Sequence, residues 1–150
     1  MPCRTDIDAA ALGAALPIVW LCDYEKPTGR FRCRLAGEAM NALYGWSLVG
    51  RYVDEVLETP RVGEVMLRYR RVVDERSIGH AAGNIYLHRD RRLVGERIIL
   101  PLSSDGQTVD CVLGATSFRW PSGIDRAQQQ GELLRLTFTP IADIPASTRT

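Results

Sequence analysis

Lysine is almost missing from this chain: Lys26 is its only one, and arginine carries the rest of the positive charge. The net charge is only +1. That excludes a bulk field drawing the protein to nucleic acid or to a membrane surface. No apolar run approaches the ~20 residues of a membrane-spanning helix. The longest, AAALGAALPIVWLC, is interrupted by Gly13 and Pro17 and stops at Asp23. Asp6 and Asp8 stand where the apolar stretch of a secretory leader would begin, so the expected location is the cytoplasm. Motifs of catalysis are also missing. There is no G-x-S-x-G, no H-E-x-x-H and no phosphate-cradling G-x-x-x-x-G-K.

Cysteine and histidine are scarce. The four cysteines (3, 22, 33 and 111) include no pair close in sequence, and the two histidines, His80 and His88, do not supply zinc-ligand spacing. The expectation is therefore reduced, buried cysteine and no metal. Two arginine clusters, RYRR at 68–71 and HRDRR at 88–92, are diluted by Asp74, Glu75, Asp90 and Glu96. Without interleaved aromatics they read as a solvated, salt-bridged face and not as a nucleic-acid site.

What is present suits one compact domain: 150 residues, 45% hydrophobic and 25% charged. Thr5-Asp6-Ile7-Asp8 has the form of a helix start, and the alanine-rich run to Leu16 predicts one short N-terminal helix, a cap over residues 1–16. IVWLCDY and FRCRLAG, joined by Lys26-Pro27-Thr28-Gly29, predict a hairpin. In its second strand Phe31, Cys33 and Leu35 face one way and Arg32 and Arg34 the other. Residues 36–57 then carry much apolar surface, but Gly37, Gly45 and Gly50 break it into short pieces, since each glycine in a helix interior costs ~1 kcal/mol. From Pro60 to about Arg76 a longer helix is expected, with Val62, Val65, Met66, Tyr69, Val72 and Val73 on one side. Three strands should follow, from GHAAGNIYLHR, RRLVGERIILPLSS and TVDCVLGATSFRW, with turns at Asp90-Arg91-Arg92 and Ser104-Asp105-Gly106. Residues 121–150 read as an extension without a core of its own.

The order is helix, two strands, short helices ending in a longer one, and three strands. This order resembles the arrangement of a PAS domain, which is expected over residues 17–120: an α+β fold with a five-stranded antiparallel sheet and short helices packed on one face. Individual stretches resemble a bacterial family of short, stand-alone PAS proteins. PCRTDID with LPIVWLCDYE resembles its opening. FRCRLAGEAMNALYGWSLVGRYVDEV resembles its centre, and ERIILPLSSDGQTVDCVLGATSF its closing strands. In that fold the middle segment wraps short helices around a hollow, which explains why an apolar stretch keeps turning.

The resemblance implies a non-catalytic sensory or signalling module acting through another protein. With about 30 residues after Phe118, the output is expected to be a partner's. No flavin or haem motif is intact. The helical region 37–77 has no cysteine, and the long helix has no histidine for an axial ligand, so no cofactor and a colourless protein are expected. Any ligand is expected to be small and apolar or amphipathic, held by Met40, Tyr44, Trp46, Met66 and Tyr69 from the helices. Phe31, Cys33, Leu35, Leu100 and some of Ile98, Cys111 and Leu113 would complete it from the sheet. Alternatively, those side chains fill the hollow outright. The rival class is a cone-shaped α+β enzyme or carrier, with His80 and Asp23 or Asp54 as an acid–base pair. A homodimer is expected through the N-terminal helix and the outer sheet face, because strands apolar on both faces would otherwise leave a large patch in water. The competing expectation is that 133–144 folds back over that face and leaves a monomer.

Overall fold

The hairpin set by the K-P-T-G turn anchors the architecture. In the computed structural model, which describes residues 1–57, 62–88, 91–120 and 134–146 (main chain alone at 86–88 and 91–92), strand β1 (Val19–Glu25) pairs antiparallel with β2 (Arg30–Ala36). Helices α2 (Glu38–Tyr44), α3 (Val53–Val56) and α4 (Val62–Asp74) follow. Strands β3 (Ser77–His88), β4 (Arg91–Leu102) and β5 (Cys111–Arg119) come next, then β6 (Arg135–Pro140), followed by a 3-10 turn (Ile141–Asp143). Among the described residues neighbouring strands all pair antiparallel, in the order β2-β1-β5-β4-β3-β6. Arg91 and Arg92 lie in β4 and not in a turn, and Pro60 lies outside the described residues.

The sixth strand departs from expectation. Arg135–Pro140 joins the sheet edge against β3, with Gly79 opposite Phe138, and so neither trails free nor folds over the outer face. The alternation of Leu136 and Phe138 with Thr137 and Thr139 is a strand pattern. What it pairs with is set by the edge β3 offers, and sequence does not display that edge. Phe138 packs beside the main chain of Gly79 and under the Arg71 guanidinium, 4.1 Å from its ring centroid.

The N-terminus also differs from one helix over 1–16. It folds as a 3-10 turn (Arg4–Asp6), one α-turn α1 (Ala9–Leu12) and a second 3-10 segment (Gly13–Ile18). The cap is Asp8, whose Oδ1 accepts from the Ala10 amide at 2.9 Å, and not Thr5. Gly13, at φ +44°, ends the α-turn, and Pro17 has no amide hydrogen to continue a helix.

Two apolar clusters lie on opposite faces of the sheet. The inner one joins Trp20, Cys22, Phe31, Cys33, Ile99 and Val112 to Met40, Tyr44, Met66, Tyr69 and Val72 of the helices. The outer one joins Val19, Leu102, Cys111 and Leu113 to Ile7, Leu12 and Ala15 of the N-terminal segment, which thus lies across the outer face. Ile98 stays outside this cover, 37% exposed.

At the β4–β5 corner Asp105 replaces missing main-chain bonds. Its Oδ1 accepts from the amides of Gln107 (2.8 Å) and Thr108 (2.7 Å) and from the Ser103 hydroxyl (2.8 Å). These bonds, the Thr108 amide first, hold its carboxyl far below the usual aspartate range. A group whose folded pKa is depressed adds stability that is present above its unfolded pKa of about 4 and fades as pH falls below it. Asp105→Asn should therefore lower Tm at pH 7, and the deficit should shrink steadily from about pH 4 downward. An equal deficit at pH 7 and pH 3 would show that the charge is irrelevant.

Candidate functional site

Where the short helices meet the inner sheet face, the chain leaves a hollow. Its volume is ≈ 40 Å³, room for about three water molecules. Trp20 and Cys22 of β1 and Cys33 of β2 form the sheet wall. Met40 and Tyr44 of α2, Val53 and Val56 of α3, and Tyr69 of α4 form the helical wall, with Leu48, Arg51 and Leu57 at its edges.

The turn over residues 45–51 closes one side of this hollow, and the sequence says why. Gly45 (φ +79°) caps α2 in the left-handed region that only glycine adopts freely. Asn41 then pins the turn: its Oδ1 accepts from the Leu48 amide at 2.9 Å and its Nδ2 donates to the Ala36 carbonyl at 3.3 Å. Beyond it the chain hooks onto β2. The Cys33 amide donates to the Arg51 carbonyl and the Gly50 amide to the Cys33 carbonyl, each at 2.8 Å.

Aromatic rings build the floor. Trp20 stacks on Tyr69 with centroids 5.4 Å apart, and Tyr69 meets Phe31 edge-on at 5.3 Å. The Trp20 indole N–H donates to the Thr116 hydroxyl oxygen at 3.0 Å, and that oxygen also accepts from Arg97 Nε at 3.2 Å. A buried guanidinium thus sits in the inner layer beyond the tryptophan. It borders a second hollow of ≈ 30 Å³ between α4 and the β3–β4–β6 side of the sheet.

Four of the residues expected to line a pocket meet there: Cys33, Met40, Tyr44 and Tyr69. Phe31 and Met66 are buried in the same cluster, behind the wall and not on it. Leu35 is 45% exposed, because β2 carries a bulge. Cys33 pairs with Cys22 but Leu35 pairs with Leu21, so Arg34 is the extra residue and Leu35 turns to the outer face. Trp46 is 37% exposed and lies under Arg51, 5.4 Å from the guanidinium to its ring centroid. Leu100, Cys111 and Leu113 belong to the outer cluster, and Ile99, not Ile98, faces inward.

Trp20, Cys22, Leu48, Arg51, Val53, Val56 and Leu57 line the hollow without having been expected to. Trp20 and Cys22 were findable, since they alternate with Leu21 and share the hairpin face of Phe31 and Cys33. The cysteines carry the chemistry. The two residues stand opposite each other across the hairpin, and the Cys33 thiol donates to the Leu35 carbonyl at 3.4 Å. Hydrogen bonding from the Cys22 thiol holds the Cys33 thiol below its ordinary value against the opposing effect of burial. Cys22 is pushed well up, by that same bond and by its own burial.

The imagined acid–base pair is not assembled. Asp23 is paired with Arg4 (2.6 Å) and Arg34 (3.0 Å), and Asp54 with Arg30 (3.1 Å). His80 sits 3.9 Å from Glu96. His88 lies outside the described side chains. Among the described residues no three metal-ligating side chains cluster, and no helix is long and apolar enough to cross a membrane.

An antiparallel sheet with short helices inserted between its second and third strands, closing a hollow on one face, defines an α+β module of the kind that can enclose a small site. The family model described as "PAS domain" matches residues 1–117, and the chain belongs to that family. It is similar in fold to the PAS domain of Bordetella pertussis BvgS, with 16% identity, a TM-score of 0.55, and coverage of 81% of this chain and 89% of that one. No curated protein matches the chain. PAS domains are sensory and signalling modules, and that is the role membership supports.

Proposed function

We propose that this PAS domain is a non-catalytic sensor that passes the state of its hollow to another protein. One observation carries the reading: β1, β2, α2, α3 and α4 all contribute to the wall of a single apolar hollow. At ≈ 40 Å³ it has little spare room, so an occupant larger than a few waters must push α2, α3 and the 45–51 turn outward. Trp46 and Val49, both exposed on that turn, would carry the movement to a surface a partner can read. Occupancy and helix position are then one equilibrium, biased by whatever fits. A two-fold pairing of copies belongs to the same reading. It is supported by the exposed Ile98 and Leu35 beside the N-terminal segment, and light scattering of the full chain showing a monomer at tens of micromolar would remove it.

A thermal-shift screen of small apolar and amphipathic molecules tests the reading. Hits should raise Tm by mass action. Val56→Phe, which fills the hollow from α3, should abolish the response while the fold persists. A response that survives Val56→Phe, or steady turnover of any hit by the purified chain, would overturn it.

A further inference from the structure

The two cysteines of the wall are placed for a reaction of their own. The hairpin register sets Cys22 directly opposite Cys33 on adjacent antiparallel strands, both facing the hollow. The pairing is of the non-hydrogen-bonded kind, because both main-chain polar groups of Cys33 are turned away to Gly50 and Arg51. Opposed residues of that kind have Cα atoms about 4.5 Å apart, against about 5.5 Å for hydrogen-bonded ones. That lies within the ~4.4–6.8 Å span of disulfides. The bulge at Arg34 follows immediately, leaving β2 freer to adjust there than in a regular ladder. Cys111, completely buried, belongs to the opposite face of the sheet, so it cannot compete.

We propose that Cys22 and Cys33 form a reversible dithiol–disulfide site whose oxidant is a small hydroperoxide entering through the hollow. The site deepens the sensory reading and rests on it in one respect, the entry of a small molecule. Hydrogen peroxide, scarcely larger than water, fits a space holding about three waters. The Cys33 thiolate attacks one peroxide oxygen, the O–O bond breaks, and water (or an alcohol, from an organic hydroperoxide) leaves with the proton. Cys33 is then a sulfenic acid. Cys22 sulfur attacks that sulfur, its proton joins the departing hydroxide as a second water, and the S–S bond closes. Two thiols have lost two electrons and the peroxide has gained them. A cellular dithiol reverses the step by exchange.

The assignment of roles follows from environment. Cys33 is the less enclosed of the two and its thiol is the one held low, so it is the attacking group. Cys22 is deeper and holds its proton, which suits the resolving thiol. Closing the bond ties β1 to β2 at the wall and removes both thiols from the hollow, so the oxidised protein presents a different cavity from the reduced one.

The test uses the reduced full chain, treated with hydrogen peroxide near stoichiometry, quenched by alkylation in denaturant and mapped by mass spectrometry. One cross-linked peptide pair joining Cys22 to Cys33 is expected, with Cys3 and Cys111 alkylated and all four thiols recovered after dithiothreitol. In Cys22→Ser, Cys33 should instead be trapped as a dimedone adduct. The proposal is overturned if Cys22 and Cys33 stay alkylatable while Cys3 reacts, or if the cross-link involves Cys3 or Cys111. It is equally overturned if Cys33→Ser still loses Cys22 to oxidation at the wild-type rate. Wild-type mapping requires no variant to fold. Running the thermal-shift hits on the same samples separates the two readings: hits without a disulfide leave the sensory hollow standing and sink only the dithiol site.

Discussion

Gly114→Ala should cost about 3 kcal/mol, at the upper end of what overpacking a core does, and lower Tm by roughly 6–12 °C for a chain of this size. Gly114 lies in β5 opposite Trp20, and a methyl there would overlap three carbons of the indole ring. Most such clashes are relieved when the neighbour swings aside. This ring is held by its bond to Thr116 on one edge and by the Tyr69 stack on one face. Trp20→Ala by itself should cost about 3–5 kcal/mol through the cavity it opens. Combined, the two changes should cost clearly less than their sum, by about 0.5–3 kcal/mol, because the alanine methyl enters space the ring has left. Chemical denaturation of the two single variants and the double variant measures this. Strict additivity would mean that the ring does not rest on the glycine.

Gly37→Ala should be nearly as damaging, for a different reason. A methyl at residue 37 would overlap the main-chain carbonyls of Leu16 and Pro17, and no side chain is there to yield. The Gly37 amide also donates to the Val19 carbonyl at 2.7 Å, so the close approach is fastened from both sides. Backbone has to move, and the piece free to move is the 3-10 segment Gly13–Ile18. The expected result is an N-terminal segment lifted from the outer cluster, with amides of residues 4–18 exchanging at least tenfold faster and Tm lower by about 5–10 °C. Unchanged exchange there, with Tm within about a degree of wild type, would contradict the contact.

The same glycine shows how far sequence reaches. Its place after F-R-C-R-L-A was visible as a signature, and strands β1 to β5 were legible from period-two alternation bounded by turns. The need for glycine at residue 37 was not, because it arises from contact with residues 16 and 17 after the chain has folded back. Cys22 and Cys33 look distant at eleven positions apart. Yet the turn that sets Glu25 opposite Arg30 sets these two opposite each other as well, so the pair could have been counted from the hairpin. Leu35 could not, because one extra residue reverses its side and no residue type in R-C-R-L announces a bulge. Hydrophobicity alone points Trp46 inward, whereas Arg51 offers it a cation face at the surface. Strand β6 needed knowledge of a vacant sheet edge, which is a property of the assembled fold.

The hook of Gly50 and Arg51 onto Cys33 does more than close a hollow. A terminal strand with bare amides and carbonyls is a template on which other chains can stack, and β2 is terminal in this sheet. Here its hydrogen-bonding groups at residue 33 are already spoken for, and Arg32 bridges to Tyr52 just beyond. Colloidal behaviour is thus tied to the turn at Gly50, which sits at φ +84°. Loosening that turn uncovers a sticky margin at the same moment that it opens the interior, so a chain that breathes too freely at this corner becomes prone to clump.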